Sequence, residues 1–199
     1  KEWLNGYTQS KQQKPFFMSI GLKKPHSPFS CPKQFWELYK KENLKLSQVK
    51  VPNDILTHYS LSKPTALLKG HSDTSMYDAY SLPEAKKFEM IHGYQACVSY
   101  ADYLAGDLIR SLKQNGLYEN TIIVFTSDHG YKLGEYDRWA KYTLHEKDSV
   151  VPFIVRAPRY KKSFNHKTKA IVGLIDIYPT LAELCDLPIP SNLDGKSFV

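Results

Sequence analysis

The 199-residue sequence predicts an α/β fold. A helical pattern from Pro83 to Gly116 is followed at once by the β-branched and aromatic run Thr121-Ile122-Ile123-Val124-Phe125-Thr126. Further strand-type runs come at Val151-Pro152-Phe153-Ile154-Val155 and Ala170-Ile171-Val172-Gly173-Leu174-Ile175, the second leading into a helical pattern at about 176–185. Helices alternating with apolar strands are what a sheet covered by helices requires.

In chain order the first element is Pro15-Phe16-Phe17-Met18-Ser19-Ile20-Gly21, a short apolar run that reads as a buried strand feeding the polar loop Lys24-Pro25-His26-Ser27-Pro28. Val51 to Pro83 carries Pro and Ser without periodicity and reads as an irregular insertion in a single domain. Pro83 suits a first helical turn, where a missing N–H costs nothing, and Gly116 suits a stop. Between them Phe88, Ile91, Val98, Ala101, Leu108 and Leu112 recur at three- and four-residue spacing, an amphipathic helix. Thr121–Thr126 is apolar on both faces and fits a central parallel strand. In the last helix Asp176 is the expected N-cap, with Pro179 tolerated in the first turn.

Composition bounds the function. With 42% hydrophobic and 24% charged residues, 12 Pro and 10 Gly, the chain has the balance of a folded domain, which excludes disorder and collagen. It contains no uncharged apolar run of about 18 residues, so no helical membrane span is expected. The net charge of +7 points to a polyanion: nucleic acid, an anionic lipid surface or a sulfated glycan. The arginines, however, are only Arg110, Arg138, Arg156 and Arg159, and the excess is lysine, densest over 33–50 and 161–169. Base readout favours the forked guanidinium, and no nucleic-acid-binding pattern accompanies the charge, so a solvated surface is read instead.

The three cysteines, Cys31, Cys97 and Cys185, are widely spaced without a C-x-x-C pair and set no disulfide framework. Cys97 and Cys185 fall in apolar helical patterns and read as small buried hydrophobes. The opening KEWLNGY carries neither an initiator Met nor a secretory pattern, and Asn192–Val199 reads as the start of another element, so both ends are expected to continue in a longer protein.

Chemistry concentrates where the Thr121–Thr126 strand ends in Ser127-Asp128-His129-Gly130. In open α/β sheets ligands gather beyond the carboxyl ends of strands. Asp128 and His129 place a carboxylate and an imidazole on adjacent residues, and Gly130 lets the backbone approach an ion closely. These four residues admit two readings: ligands of a shared metal, or a turn in which Asp128 caps the next element and His129 is merely exposed.

Downstream of Gly130 come Leu133-Gly134-Glu135, then Trp139-Ala140-Lys141-Tyr142, Glu146 and Val151-Pro152. With the preceding strand, this order resembles the sulfatase family of the alkaline phosphatase superfamily. Lys14-Pro15-Phe16-Phe17 and Lys24-Pro25-His26-Ser27-Pro28-Phe29, Ser99-Tyr100-Ala101-Asp102 and Asp176-Ile177-Tyr178-Pro179-Thr180-Leu181 are similar to its iduronate-2-sulfatase-like branch. Any one of these strings is weak evidence; several in the family's order are not.

The resemblance implies an alkaline-phosphatase-like mixed sheet flanked by helices, of which residues 1–199 are the second half of the catalytic domain. It implies that Asp128 and His129 bind a divalent cation, calcium in most sulfatases, and that Lys141 reaches the sulfate, where fixed positive charge stabilises developing negative charge. His26 matches the histidine that contacts sulfate or protonates the leaving oxygen, a task suited to imidazole. Lys24 stands beside it as a second sulfate contact. A surface lysine and a solvated loop histidine are the alternatives to these roles.

The family's nucleophile is a formylglycine made in a C/S-x-P/A-x-R string. Cys31 is followed by Pro32-Lys33-Gln34-Phe35 and Cys97 by Val98-Ser99-Tyr100-Ala101, so neither qualifies. That nucleophile and the family's paired aspartates are expected upstream of Lys1, and the 199 residues alone are expected to be inactive. Many sulfatases have Asn where His129 stands, which leaves the metal's identity open. The resemblance further implies a sulfated sugar or uronate as substrate and an extracytoplasmic (periplasmic, secreted or lysosomal) location. A metal-dependent phosphodiesterase or phosphatase of the same superfamily, and an inactive binding-only relative, are the competing functions.

Overall fold

A computed structural model describes residues 1–10, 14–49, 82–141 and 143–199. Most of the 51–83 insertion, with His58, His71 and Asp73, lies outside the described residues, as does Tyr142. The chain divides into two compact units, Lys1–Gly116 with His129–Val150, and Leu117–Asp128 with Val151–Val199.

The first unit is built on one long helix. Its elements are α1 (Glu2–Gln9), α2 (Lys33–Trp36), α3 (Glu84–Gln114), β2 (Lys132–Leu133), β3 (Trp139–Ala140) and α4 (Glu146–Ser149), with β1 falling in the other unit. Helix α3 begins directly after Pro83 and runs for 31 residues, as the Pro83–Gly116 pattern predicts. Its buried face is carried by Met90, Ile91, Gly93, Ala96 and Cys97, whereas Val98, expected on that face, is 42% exposed. The stripe is set by Gly93: a Cβ there would lie 2.8 Å from the Phe29 Cβ and 3.1 Å from the Trp36 ring, so only glycine admits these aromatics. Phe29, Leu44, Leu82, Met90, Ile91, Cys97, Trp139 and Ala140 form the core. The His92 ring packs against Trp36, centroids 4.3 Å apart and planes tilted by 32°, and its Nε2 lies 2.8 Å from the Trp36 carbonyl oxygen, which accounts for it as a packed residue.

The second unit contains β1 (Ile123–Thr126), β4 (Phe153–Arg156) and α5 (Ile177–Leu184). β1 and β4 pair antiparallel, Ile123 opposite Arg156 and Thr126 opposite Phe153. This corrects the expected parallel pairing: the chain leaves the sheet at Thr126 and re-enters opposite it at Phe153, and a connection that returns to its own starting edge gives antiparallel strands. Arg156 is held by the carbonyls of Tyr118 (2.7 Å) and Thr121 (3.3 Å) and lies 3.8 Å from the Tyr118 ring centroid.

Helix α5 confirms the 176–185 pattern, with Asp176 at its N-cap position and Pro179 buried in the first turn. The Asp176 carboxylate makes no cap bond to the helix. It accepts the Gly173 N–H and the Lys196 N–H, each at 2.8 Å, which holds its carboxyl below the usual carboxylate range. Residues 192–199 form no new element; they fold back on α5, with a backbone approach at Gly195 that a Cβ would block against the Ile175 carbonyl.

Two expected strands are absent among the described residues. Residues 15–21 form no ladder, and Phe17 is 85% exposed; residues 170–175 lead into a 3₁₀ turn at Leu174–Asp176 with Ile171 fully exposed. An apolar run becomes a strand only where an edge is there to pair with it, and the described sheets are two-stranded. Cys185, expected to be buried, is exposed, because α5 ends just before it.

Candidate functional site

The strand β1 delivers Ser127-Asp128-His129-Gly130 at its carboxyl end, as the sequence predicts. Asp128 is exposed, with the Ser127 hydroxyl 3.4 Å from its Oδ1. His129 Nδ1 lies 2.7 Å from the Gly130 carbonyl oxygen and its Nε2 lies 2.6 Å from the Lys141 ammonium. A carbonyl only accepts and an ammonium only donates, so the proton sits on Nδ1 and the Nε2 lone pair accepts from Lys141.

Lys141 reaches that position through a short, over-determined hairpin. Gly134 sits at φ 108°, a left-handed turn open to glycine, and the Glu135 carboxylate accepts the Leu133 N–H at 2.7 Å. β3 then pairs with β2, Lys132 opposite Ala140 and Leu133 opposite Trp139, and Trp139 is buried. These are the Leu133-Gly134-Glu135 and Trp139-Ala140-Lys141 strings. Their residue types follow from the turn, the carboxylate cap and the buried indole that aim Lys141.

Lys24 and His26 occupy a separate loop. Lys24 Nζ donates to the Pro28 carbonyl at 2.5 Å, the Ser30 hydroxyl at 3.2 Å and the His26 carbonyl at 3.4 Å. His26 is exposed, and its Nδ1 lies 2.7 Å from the Ser27 carbonyl oxygen. The structure thus brings His129 and Lys141 into contact and gives Lys24 and His26 partners in their own loop. Beneath that loop, burial and the neighbouring Cys31 push the Cys97 thiol up to about 11.

The donor set does not make a metal site by itself. Among the described residues no group of three or more His, Cys, Asp or Glu side chains gathers, and the His129 lone pair is turned to an ammonium. Calcium takes six to eight oxygens, of which Asp128 offers one carboxylate.

Sequence reasoning missed a cluster beside Lys141. Lys132, 1% exposed, donates to Asp148 Oδ2 at 2.5 Å and to Thr143 Oγ1 at 2.9 Å, and Asp148 Oδ2 also accepts the Thr143 N–H (2.8 Å) and hydroxyl (2.6 Å). The one signal was a lysine at a β2 position flanked by Tyr131 and Leu133; nothing in one dimension ties it to an aspartate 16 residues on.

With this geometry in place, comparison with known proteins identifies the class. The sulfatase family model matches residues 1–187, so the chain belongs to the sulfatase family. It is 32% identical to iduronate 2-sulfatase of Mus musculus over 211 aligned residues, covering 92% of this chain but 38% of that enzyme. Among solved structures, a phosphonate monoester hydrolase from Silicibacter pomeroyi superposes with a TM-score of 0.72 at 27% identity, covering 87% of this chain and 34% of that one. A Bacteroides thetaiotaomicron 4S-sulfatase described in connection with the metabolism of multiple glycosaminoglycans superposes with a TM-score of 0.69 at 26% identity, covering 99% and 37%. The fold is thus that of the sulfatases and their alkaline-phosphatase-like relatives, and no helix among the described residues is long and apolar enough to cross a membrane.

Proposed function

We propose that this chain is the second half of the catalytic domain of an extracytoplasmic sulfuric ester hydrolase acting on a sulfated sugar or uronate. The family match supports the reaction class, and the likeness to iduronate 2-sulfatase and to the glycosaminoglycan-linked structure supports the substrate class. The observation that carries the reading is the 2.6 Å contact between Lys141 and His129, two residues 12 apart that the sequence motifs assign to one site.

In this reading the Lys141 ammonium faces the sulfate oxygens and stabilises the charge that develops on them as the S–O bond breaks. His26, its Nδ1 proton held by the Ser27 carbonyl, delivers a proton from Nε2 to the departing sugar oxygen. Lys24 adds positive charge beside it. Asp128 is proposed as one ligand of a divalent cation, calcium by family likeness, and His129 as a second once its Nε2 lone pair turns from Lys141 to the ion, with the other oxygens and the formylglycine nucleophile supplied from outside these 199 residues. Two donors fall short of a complete site, and the roles of Lys141, His26 and Lys24 rest on their own side chains.

The test is sulfate release from an aryl sulfate by the complete protein, with and without Lys141→Ala. A second reading, phosphonate or phosphate ester hydrolysis, is favoured by the Silicibacter pomeroyi likeness. An aryl phosphonate monoester assayed in parallel separates the two. A wild-type rate on the phosphonate far above that on the sulfate sinks the first reading.

A further inference from the structure

Lys132 is the largest fully buried side chain of the described residues, and its charge is spent inside the first unit. Its partner Asp148 gathers three donors on Oδ2, while Oδ1 is buried with no hydrogen-bond partner among the described residues. The Asp148 main chain is engaged as well: its carbonyl accepts the Gly130 N–H at 2.7 Å. A Cβ at Gly130 would overlap the Lys147 carbonyl, so these two backbones are in direct contact. One residue therefore ties together the segment carrying His129, the strand β2 and the turn after Lys141.

The placement relative to Lys141 is close on both sides. Lys132 stands opposite Ala140, the residue before Lys141, and Thr143 is two residues after it. Thr143 accepts from Lys132 and donates to Asp148, so its hydroxyl can take only one orientation. We propose that Lys132, Thr143 and Asp148 are positioning residues that pin the 141–148 turn to the 129–132 segment and thereby set where the Lys141 ammonium lies. The inference rests on the reading of Lys141 as the sulfate-facing group. An apolar pair of the same volume would fill this space at least as favourably, because desolvating two charges offsets most of their attraction. What the ionic network adds is a single geometry, and a displacement of about 1 Å at a reacting group can cost about a hundredfold in rate.

The experiment uses the complete protein and four variants: Lys132→Met, the double Lys132→Met/Asp148→Leu, Thr143→Val and Lys141→Ala. Lys132→Met strands a buried carboxylate and lowers the melting temperature by roughly 5 °C or more. The double variant regains most of that loss, yet its kcat stays about tenfold or more below wild type, and amides in 143–149 exchange hydrogen faster. Thr143→Val, which keeps the ion pair, shows the same direction in kcat with a smaller thermal shift. A double variant that regains both melting temperature and kcat overturns the proposal. If that variant does not fold, an unchanged kcat and unchanged exchange in Thr143→Val overturn it. Lys141→Ala separates the two failures. Full activity there removes the reading of Lys141, whereas an inactive Lys141→Ala beside a fully active double variant removes the positioning role alone.

Discussion

The segment 129–148 and the loop 24–30 both carry residues proposed to meet sulfate, and they are built differently. In the first, Lys141 and His129 are 12 residues apart and the surrounding turn is closed by Lys132, Thr143 and Asp148. In the second, the partners of Lys24 and His26 among the described residues all lie within six residues of them, and His26 is exposed. Long-range partners fix a side chain against a frame, whereas local ones fix it only against its own loop. The first region is thus suited to preorganised charge, and the second to a group that adjusts to a leaving oxygen.

The largest expected effects test that difference directly. In the complete protein, Lys141→Ala should lower kcat/KM for an aryl sulfate by about 10²–10³, the usual loss when one preorganised charge partner is removed, with little change in melting temperature. Asp128→Asn should abolish most turnover while leaving the fold intact; full activity would remove it from the proposed ligands. His26→Ala should cost about 10²–10³, but the loss should shrink on substrates whose leaving group needs no proton, such as an activated aryl sulfate. Equal losses on both substrate types would show that His26 does not act as the acid.

A smaller effect concerns stability at the neck of the first region. Gly130→Ala forces a Cβ onto the Lys147 carbonyl and should destabilise by about 1–3 kcal/mol, measured by thermal or denaturant unfolding. Under the other loop, the Cys97 thiol, pushed up to about 11, is neutral at pH 8, so alkylation of the native protein should label Cys185 and spare Cys97. A raised thiol favours the folded state below about pH 9, and that contribution is lost as pH climbs through about 11. Rapid labelling of Cys97 at pH 8 would place it in a looser region than the one seen.

How much of this was legible in one dimension depended on whether the cause was local. The Pro83–Gly116 helix was readable because its start, its stop and its apolar spacing all lie within it; the face was misjudged at Val98 because Gly93, admitting Phe29 and Trp36, decides which side is buried. β1 and β4 were readable as strands, but not their direction, which depends on where the 127–152 connection returns. The runs at 15–21 and 170–175 had strand composition and lacked an edge among the described residues. Around the candidate site, Gly134, Glu135 and Trp139 announced themselves as a motif. Lys132 and Asp148 did not, since a buried ion pair across a hairpin looks like two ordinary surface charges until the turn is closed.

The smallest expected effect lies outside both regions, in the lysine-rich stretch of the second unit. Lys161, Lys162, Lys167 and Lys169 are exposed. If the substrate is an anionic glycan, charges of this kind act at a distance on encounter, not on the chemical step, because exposed charges are screened beyond about 8 Å at physiological salt. Replacing all four with Glu should raise KM several-fold for a sulfated oligosaccharide at low ionic strength and leave kcat unchanged. The effect should fade as salt is added and be absent for a small aryl sulfate. A KM change that persists in high salt, or that appears equally with the small substrate, would mean these lysines contact the bound ester and do not act at a distance.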